Sequence, residues 1–122
     1  MNPSQSKKMN YQLSALEGWN ILTIEGEMSF PQIEHIDRLS ADIKNLVAQG
    51  EYQFLFNFKN VPYIDSSGLS VVILTISNAL KKNTPVKICG LNEMTRMAFE
   101  VMVDFGVEYY DTVEEAINDT PL

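Results

Sequence analysis

Apolar and polar residues alternate at the start of this chain, and the alternation predicts an opening β-hairpin. From Met9 to Ala15 every second residue is apolar, the period of a half-exposed strand. Glu17-Gly18 is a turn signal, and Trp19 to Ile24 has the composition of a second strand. The first two elements are therefore predicted to be paired strands.

The next apolar residues recur at helical spacing and then merge into one continuous run. Pro31 suits the first turn of a helix, and Gly50 is a typical residue just beyond its end. Between them lies an apolar stripe made of Ile33, Ile36, Leu39, Ile43, Leu46 and Val47. Tyr52 to Phe58 is almost wholly apolar, which predicts a strand covered on both faces.

The second half of the chain repeats this alternation of helix and strand. A core helix is predicted with an inward face of Leu69, Val72, Ile73, Ile76 and Leu80. A short strand, Val86 to Cys89, precedes a helix capped by Asn92. The inward residues predicted for that helix are Met94, Met97, Ala98, Val101, Met102 and Phe105. Val107 to Tyr110 is predicted as a last strand, and Thr112 begins a final short helix.

This order of elements predicts an α/β fold in one domain. After the hairpin, strands and helices alternate, which favours a small, mostly parallel sheet of five strands with crossover helices. Residues 1–8 are expected to form a loose N-terminal tail, and residues 9–122 the domain.

Composition excludes several classes of function. The 122 residues carry a formal net charge of −7, which argues against nucleic-acid and anionic-membrane partners. The single cysteine, Cys89, cannot form an internal disulfide and fits a reducing cytoplasm. No signal peptide or membrane-spanning run is present, so we expect a cytoplasmic protein. His35 is the only histidine and no Cys/His cluster exists, so neither a metal nor a cofactor is expected.

The segment from Val61 to Leu69 combines a strand end, two hydroxyls and a helix start. Pro62 stops the preceding strand, since proline donates no N–H to a sheet. Asp65, Ser66 and Ser67 all favour a helix N-terminus, which is a place that also favours anions. The serines are therefore either caps alone or carriers of a phosphate. A serine hydrolase is not favoured, because no G-x-S-x-G elbow surrounds Ser66.

The run Asp65-Ser66-Ser67-Gly68-Leu69, after its apolar strand, resembles the signature of STAS domains, most closely those of bacterial anti-sigma factor antagonists. The resemblance extends from about Met9 to Asn118. It implies a central sheet with about four helices on one side and no enzymatic activity. It also implies that Ser66 is phosphorylated by a partner anti-sigma factor, which is a serine kinase. The unphosphorylated protein would bind that kinase, and a metal-dependent serine phosphatase would reverse the modification.

Two positions depart from the family pattern. Asn57 and Ser29 stand where the family often has acidic residues that help to engage the kinase. Asn57 is open to two interpretations: a structural amide or a site residue. The partner-binding residues implied by the resemblance are Asp65, Ser67, Gly68, Leu69, Glu27, Ser29 and Asn57. The departures leave two alternatives, a STAS scaffold that is never phosphorylated and a sensor of a nucleotide or other small ligand. As to assembly, a monomer or weak dimer is expected.

Overall fold

The computed structural model describes residues 8–100 and 106–119, and its centre is a five-stranded mixed sheet in the order β1-β2-β3-β4-β5. The predicted loose tail, apart from Lys8, lies outside the described residues. The strands are β1 Asn10–Leu16, β2 Trp19–Glu25, β3 Phe54–Asn60, β4 Val86–Cys89 and β5 Val107–Tyr110. Every strand that the sequence predicts is present in this part of the chain.

The opening hairpin is antiparallel and has a two-residue turn. β1 pairs with β2 from Asn10↔Glu25 to Leu16↔Trp19 without a shift in register. Glu17 and Gly18 both have positive φ, +54° and +83°, as a type I′ turn requires. This turn matches the right-handed twist of the strands, so it fixes the register of the pair.

The other strand pairs are parallel, and a helix connects each to the next. A short 3₁₀ turn, Phe30–Gln32, leads into α1, Ile33–Ala48. The remaining helices are α2 Ser66–Leu80, α3 Glu93–Phe99 and α4 Val113–Asn118. The predicted fold class, a mostly parallel sheet of five strands with four helices, is confirmed.

The main core fills one face of the sheet. Phe54, Phe56 and Phe58 of β3 are fully buried there, and the rings of Phe56 and Phe58 stack at 5.7 Å. The predicted stripe of α1 faces this core, with Ile36, Leu39 and Ile43 buried. Successive side chains of a strand point to opposite faces, so the odd-numbered residues of β3 face the other side.

The prediction that all four helices pack on one side of the sheet is wrong for α4. Ala116 of α4 is buried with Ile21, Leu55 and Cys89, which belong to the opposite face of the sheet. Lys87 of β4 is also buried on that face and donates hydrogen bonds to the carbonyls of Ala116 (2.6 Å) and Asp119 (3.0 Å). The lysine therefore satisfies carbonyls at the end of α4, a role that a cation near a helix C-terminus commonly has.

Two predicted helix faces are also corrected. In α2, Ile73 and Leu80 are about half exposed, and the buried residues are Gly68, Val71, Val72, Thr75, Ile76 and Ala79. In α3, Met94 (58% exposed) and Met97 (64%) point outward, whereas Thr95 and Phe99 are buried. Val101, Met102 and Phe105, which were also predicted to be inward, lie outside the described residues.

Candidate functional site

Two loops meet where the strands end and α2 begins. Met28 forms an isolated parallel bridge with Ile64. The Met28 N–H donates to the carbonyl of Tyr63 (3.0 Å), and the Asp65 N–H donates to the carbonyl of Met28 (3.1 Å). The segment after β2 is thus attached by its backbone to the segment that carries the predicted motif.

Asp65 is the N-cap of α2 and also joins the two loops. One carboxylate oxygen, Oδ1, accepts from the backbone N–H of Ser67 (2.8 Å) and more distantly from that of Gly68 (3.4 Å). The other, Oδ2, accepts from the backbone N–H of Phe30 (2.9 Å). Both oxygens are therefore occupied by backbone groups, so Asp65 holds the first turn of the helix in place.

Because Gly68 has no side chain, α2 can approach the neighbouring loop more closely than any other residue at this position would allow. A Cβ atom at this position would lie 2.6 Å from the Met28 carbonyl oxygen and 2.8 Å from Cγ1 of Ile64. Leu69, the next residue, is half-buried and packs against the main core. These two motif residues fix the position of the helix start, and neither offers a reactive group.

Ser66 is the first residue of α2, and its side chain is exposed. Within the described residues its hydroxyl has no hydrogen-bond partner. Ser67 is half-buried, and the hydroxyl of Ser70 donates to the Ser67 carbonyl (2.7 Å). Of the three serines, Ser66 therefore combines exposure with an uncommitted hydroxyl at a helix N-terminus.

The remaining predicted site residues are Glu27, Ser29 and Asn57. Glu27 is half-buried and lies in the loop attached to the motif. Ser29 is only 5% exposed and begins the 3₁₀ turn, where the Gln32 N–H donates to its carbonyl. Asn57 points to the face of the sheet that α4 covers in part, and its Oδ1 accepts from the Lys59 N–H (3.1 Å). This contact with the backbone at the end of its own strand is one that a structural amide would make.

Large apolar side chains that the sequence analysis did not assign to the site lie close to it. Phe30 is 67% exposed and is joined to Asp65 through its backbone, and Tyr63 is 42% exposed. The side chain of Asn92, the N-cap of α3, donates to the carbonyls of Val61 and Pro62, which places the start of α3 against the same loop. The sequence contains a signal for these side chains, because they are large apolar residues in segments predicted to be loops, where they are not expected to be buried in the core.

The described part of the chain offers no cluster of metal ligands. No three His, Cys, Asp or Glu side chains there are grouped as they would need to be to hold a metal ion. None of the described helices is long and apolar enough to cross a membrane.

Comparisons with known proteins agree with this architecture. The sequence model of the STAS domain matches residues 10–116. No curated protein matches the chain.

Several solved structures have a similar fold. The anti-sigma factor antagonist SpoIIAA in its unphosphorylated form has a TM-score of 0.69 at 22% identity, over 88% of this chain and 93% of that one. The phosphorylated form of SpoIIAA from Bacillus gives 0.70 at 21% identity, over 89% and 97%. An anti-sigma factor antagonist from Mycobacterium paratuberculosis gives 0.74 at 19% identity, over 92% and 96%. At these identities the likeness is one of fold.

Proposed function

The chain belongs to the STAS domain family, and we propose that it acts as an anti-sigma factor antagonist, a non-enzymatic binding protein switched by phosphorylation of Ser66. The observation that carries this proposal is the exposed, uncommitted Ser66 hydroxyl at the start of α2. The partner is a serine kinase that is also an anti-sigma factor. It binds the unphosphorylated protein and releases the phosphorylated one, and a metal-dependent serine phosphatase resets the switch in the cytoplasm.

The switch is electrostatic and local. A phosphate adds about −1.5 to −2 charges at pH 7. Asp65 already accepts from the Ser67 and Gly68 N–H groups, so these donors are not free for the phosphate. The phosphate would therefore stay in solvent beside a carboxylate. We expect the fold to persist, since this chain resembles the unphosphorylated and phosphorylated SpoIIAA structures equally well.

The consequence falls on the partner interface. A protein that covers Ser66 would have to desolvate the phosphate next to Asp65, and an unpaired buried charge costs several kcal/mol. Each 1.4 kcal/mol changes an affinity about tenfold, so phosphorylation would weaken binding by orders of magnitude. Phe30 and Tyr63 are exposed near this site and are the contacts we expect a partner to bury.

The test starts from immobilised wild-type, Ser66→Ala and Ser66→Asp proteins in a lysate of the source cells. The expected partner is retained by the first two and lost from the third. The purified partner should then transfer phosphate from ATP to the wild-type protein, with Ser66 identified by tandem mass spectrometry. Ser70→Ala is the matched control, because Ser70 is exposed one turn further along α2. A phosphate on another residue would refute the site.

A second candidate function has its own support. Buried Ser29 and structurally engaged Asn57 offer no carboxylates to a kinase, which favours a STAS scaffold that binds without being modified. In that case a captured partner would bind the wild-type and Ser66→Asp proteins alike and would produce no mass shift with ATP.

A further inference from the structure

β1 is an edge strand with few of the features that usually prevent strands from pairing between molecules. In the described part of the chain it is the outermost strand beside β2. Its seven residues, NYQLSAL, include no charged residue and no proline, and its pairing with β2 contains no bulge. Charges, prolines and bulges are the usual protection of such edges.

The hairpin geometry shows which backbone groups of β1 point away from the sheet. In a two-residue hairpin, Leu16 and Trp19, which flank the turn, form a hydrogen-bonded pair, and such pairs then recur at every second residue. The even-numbered residues of β1 therefore bond to β2. The Asn20 N–H supports this alternation, because it points away from β1 and donates to the Gln53 carbonyl on the other side of β2 (2.9 Å). The backbone groups of Tyr11, Leu13 and Ala15 consequently face outward.

These outward groups suit an antiparallel copy of the same strand. A twofold axis through Leu13 places Leu13 opposite the partner's Leu13 and Tyr11 opposite the partner's Ala15. The Leu13 pair can then exchange two N–H···O bonds, and each Ala15 N–H can reach the partner's Tyr11 carbonyl. Among these groups the Tyr11 N–H is already engaged, by the side chain of Asn10 (2.8 Å).

Side chains near this edge complement the same register. Leu13 is 42% exposed and would meet the partner's Leu13 across the axis, which removes apolar surface from water. Lys8 precedes β1 and Glu17 follows it, and both are exposed, so the antiparallel arrangement brings each Lys8 to the end of the partner's strand that carries Glu17. The twofold axis repeats this opposite-charge arrangement, so the two ends of the paired strands carry complementary charges.

We propose that two copies of this chain associate through their β1 edges. They then form one continuous sheet of ten strands, with an antiparallel β1–β1 pair at its centre. The contact is short, so the dimer is weak and depends on concentration. The dimer does not depend on phosphorylation of Ser66, so this proposal can be tested independently of the proposed function.

The test combines sedimentation equilibrium with amide exchange on the full chain. The wild-type protein should show a reversible monomer–dimer equilibrium in the micromolar to millimolar range, because a single strand pair makes a small interface and small interfaces are weak. In NMR exchange measurements, the Leu13 and Ala15 amides should become more protected as concentration rises. The Gln12 and Ser14 amides, which bond to β2, should be protected at every concentration.

Two variants block the edge in different ways. Leu13→Glu places two carboxylates opposite each other across the axis, and Leu13→Pro removes an outward N–H without removing a bond to β2. Each should raise the dimer dissociation constant at least about tenfold. Leu80→Glu is the matched control, because Leu80 is a similarly exposed leucine on α2 and receives the same charge. A wild-type protein that stays monomeric at 1 mM, or a Leu13→Glu protein that dimerises like the Leu80→Glu control, would overturn the proposal.

Discussion

Replacing Asp65 with alanine should destabilise the whole domain, although this residue is only partly buried. The substitution removes the acceptor for the Ser67 and Gly68 N–H groups and the bond to the Phe30 N–H. Loss of an N-cap costs about 1 kcal/mol, and loss of a further, partly exposed hydrogen bond costs about 0.5–1 kcal/mol. We therefore expect the free energy of unfolding to fall by about 2 kcal/mol. For a domain of this length, the melting temperature should fall by about 8 °C.

Urea denaturation followed by the fluorescence of Trp19 measures this loss. Asp65→Asn separates the two contributions, since its amide oxygen can still cap α2 while its NH₂ group cannot accept from Phe30. It should lose about half as much stability as Asp65→Ala. Asp37→Asn, on the exposed side of α1, removes a carboxylate without a cap and should change stability by less than about 0.5 kcal/mol. If Asp65→Ala is also within 0.5 kcal/mol of the wild type, the joining role assigned to this carboxylate is refuted.

Three further predictions concern glycine packing, a buried lysine and a tyrosine. Gly68→Ala should lower the free energy of unfolding by about 1–3 kcal/mol in urea, because its Cβ would lie 2.6 Å from the Met28 carbonyl oxygen. Lys87→Met should lower it by about 1–3 kcal/mol and speed amide exchange in α4, since two carbonyls lose their donor. Burial and the hydrogen bond to Asp42 raise the pKa of Tyr11 from 10.0 to about 12, which favours the neutral phenol in the folded state. That part of the stability is complete below pH 10.0 and should be lost as pH rises towards about 12, and Tyr11→Phe should flatten this decline in pH-dependent urea titrations.

Each of these predictions has a matched control. Ser77→Ala, on the exposed side of α2, adds no atom and should leave the start of the helix unchanged, in contrast to Gly68→Ala. Lys59→Met removes an exposed lysine from β3 and should not affect exchange in α4. Phe30→Leu changes an exposed aromatic side chain that does not ionise, so it should leave the alkaline part of the stability profile as in the wild type. An equal response from variant and control would contradict the corresponding contact.

The order of elements was predictable because periodicity and turn chemistry agree along the chain. The alternation before Glu17-Gly18 predicted the hairpin, and both residues adopt the positive φ that the turn needs. The stripe of α1 has polar residues on its other side, so its buried face could be predicted and is confirmed. The capping residues Asp65, Asn92 and Thr112 likewise stand at the helix starts where the sequence predicted them.

The faces of α2 and α3 were less predictable for physical reasons. α2 is apolar on nearly every side, so its period does not select one face. The face that packs is the one with Gly68, Thr75 and Ala79, because small side chains allow closer approach to its neighbours. In α3, Thr95 is buried because its hydroxyl completes a capping box with Asn92, and the methionines on either side of it point outward.

Burial of Lys87 and the position of α4 depend on contacts between distant segments. A lysine in a strand is normally expected at the surface. Here its Nζ reaches the end of α4 and lies 4.6 Å from the centre of the Trp19 ring. Neither partner is near β4 in sequence, and local periodicity does not indicate on which side of a sheet a short final helix packs.

The measurement that tests the central claim most directly is the affinity of the partner kinase for this protein with phosphoserine incorporated at position 66. Titration calorimetry would compare it with the unmodified protein and with a protein that carries phosphoserine at position 70. We predict that phosphoserine at 66 weakens binding at least about a hundredfold, since burying the phosphate beside Asp65 costs several kcal/mol. The same modification at 70 should have a much smaller effect. Equal affinity for the unmodified and the 66-phosphorylated protein would contradict the proposed switch.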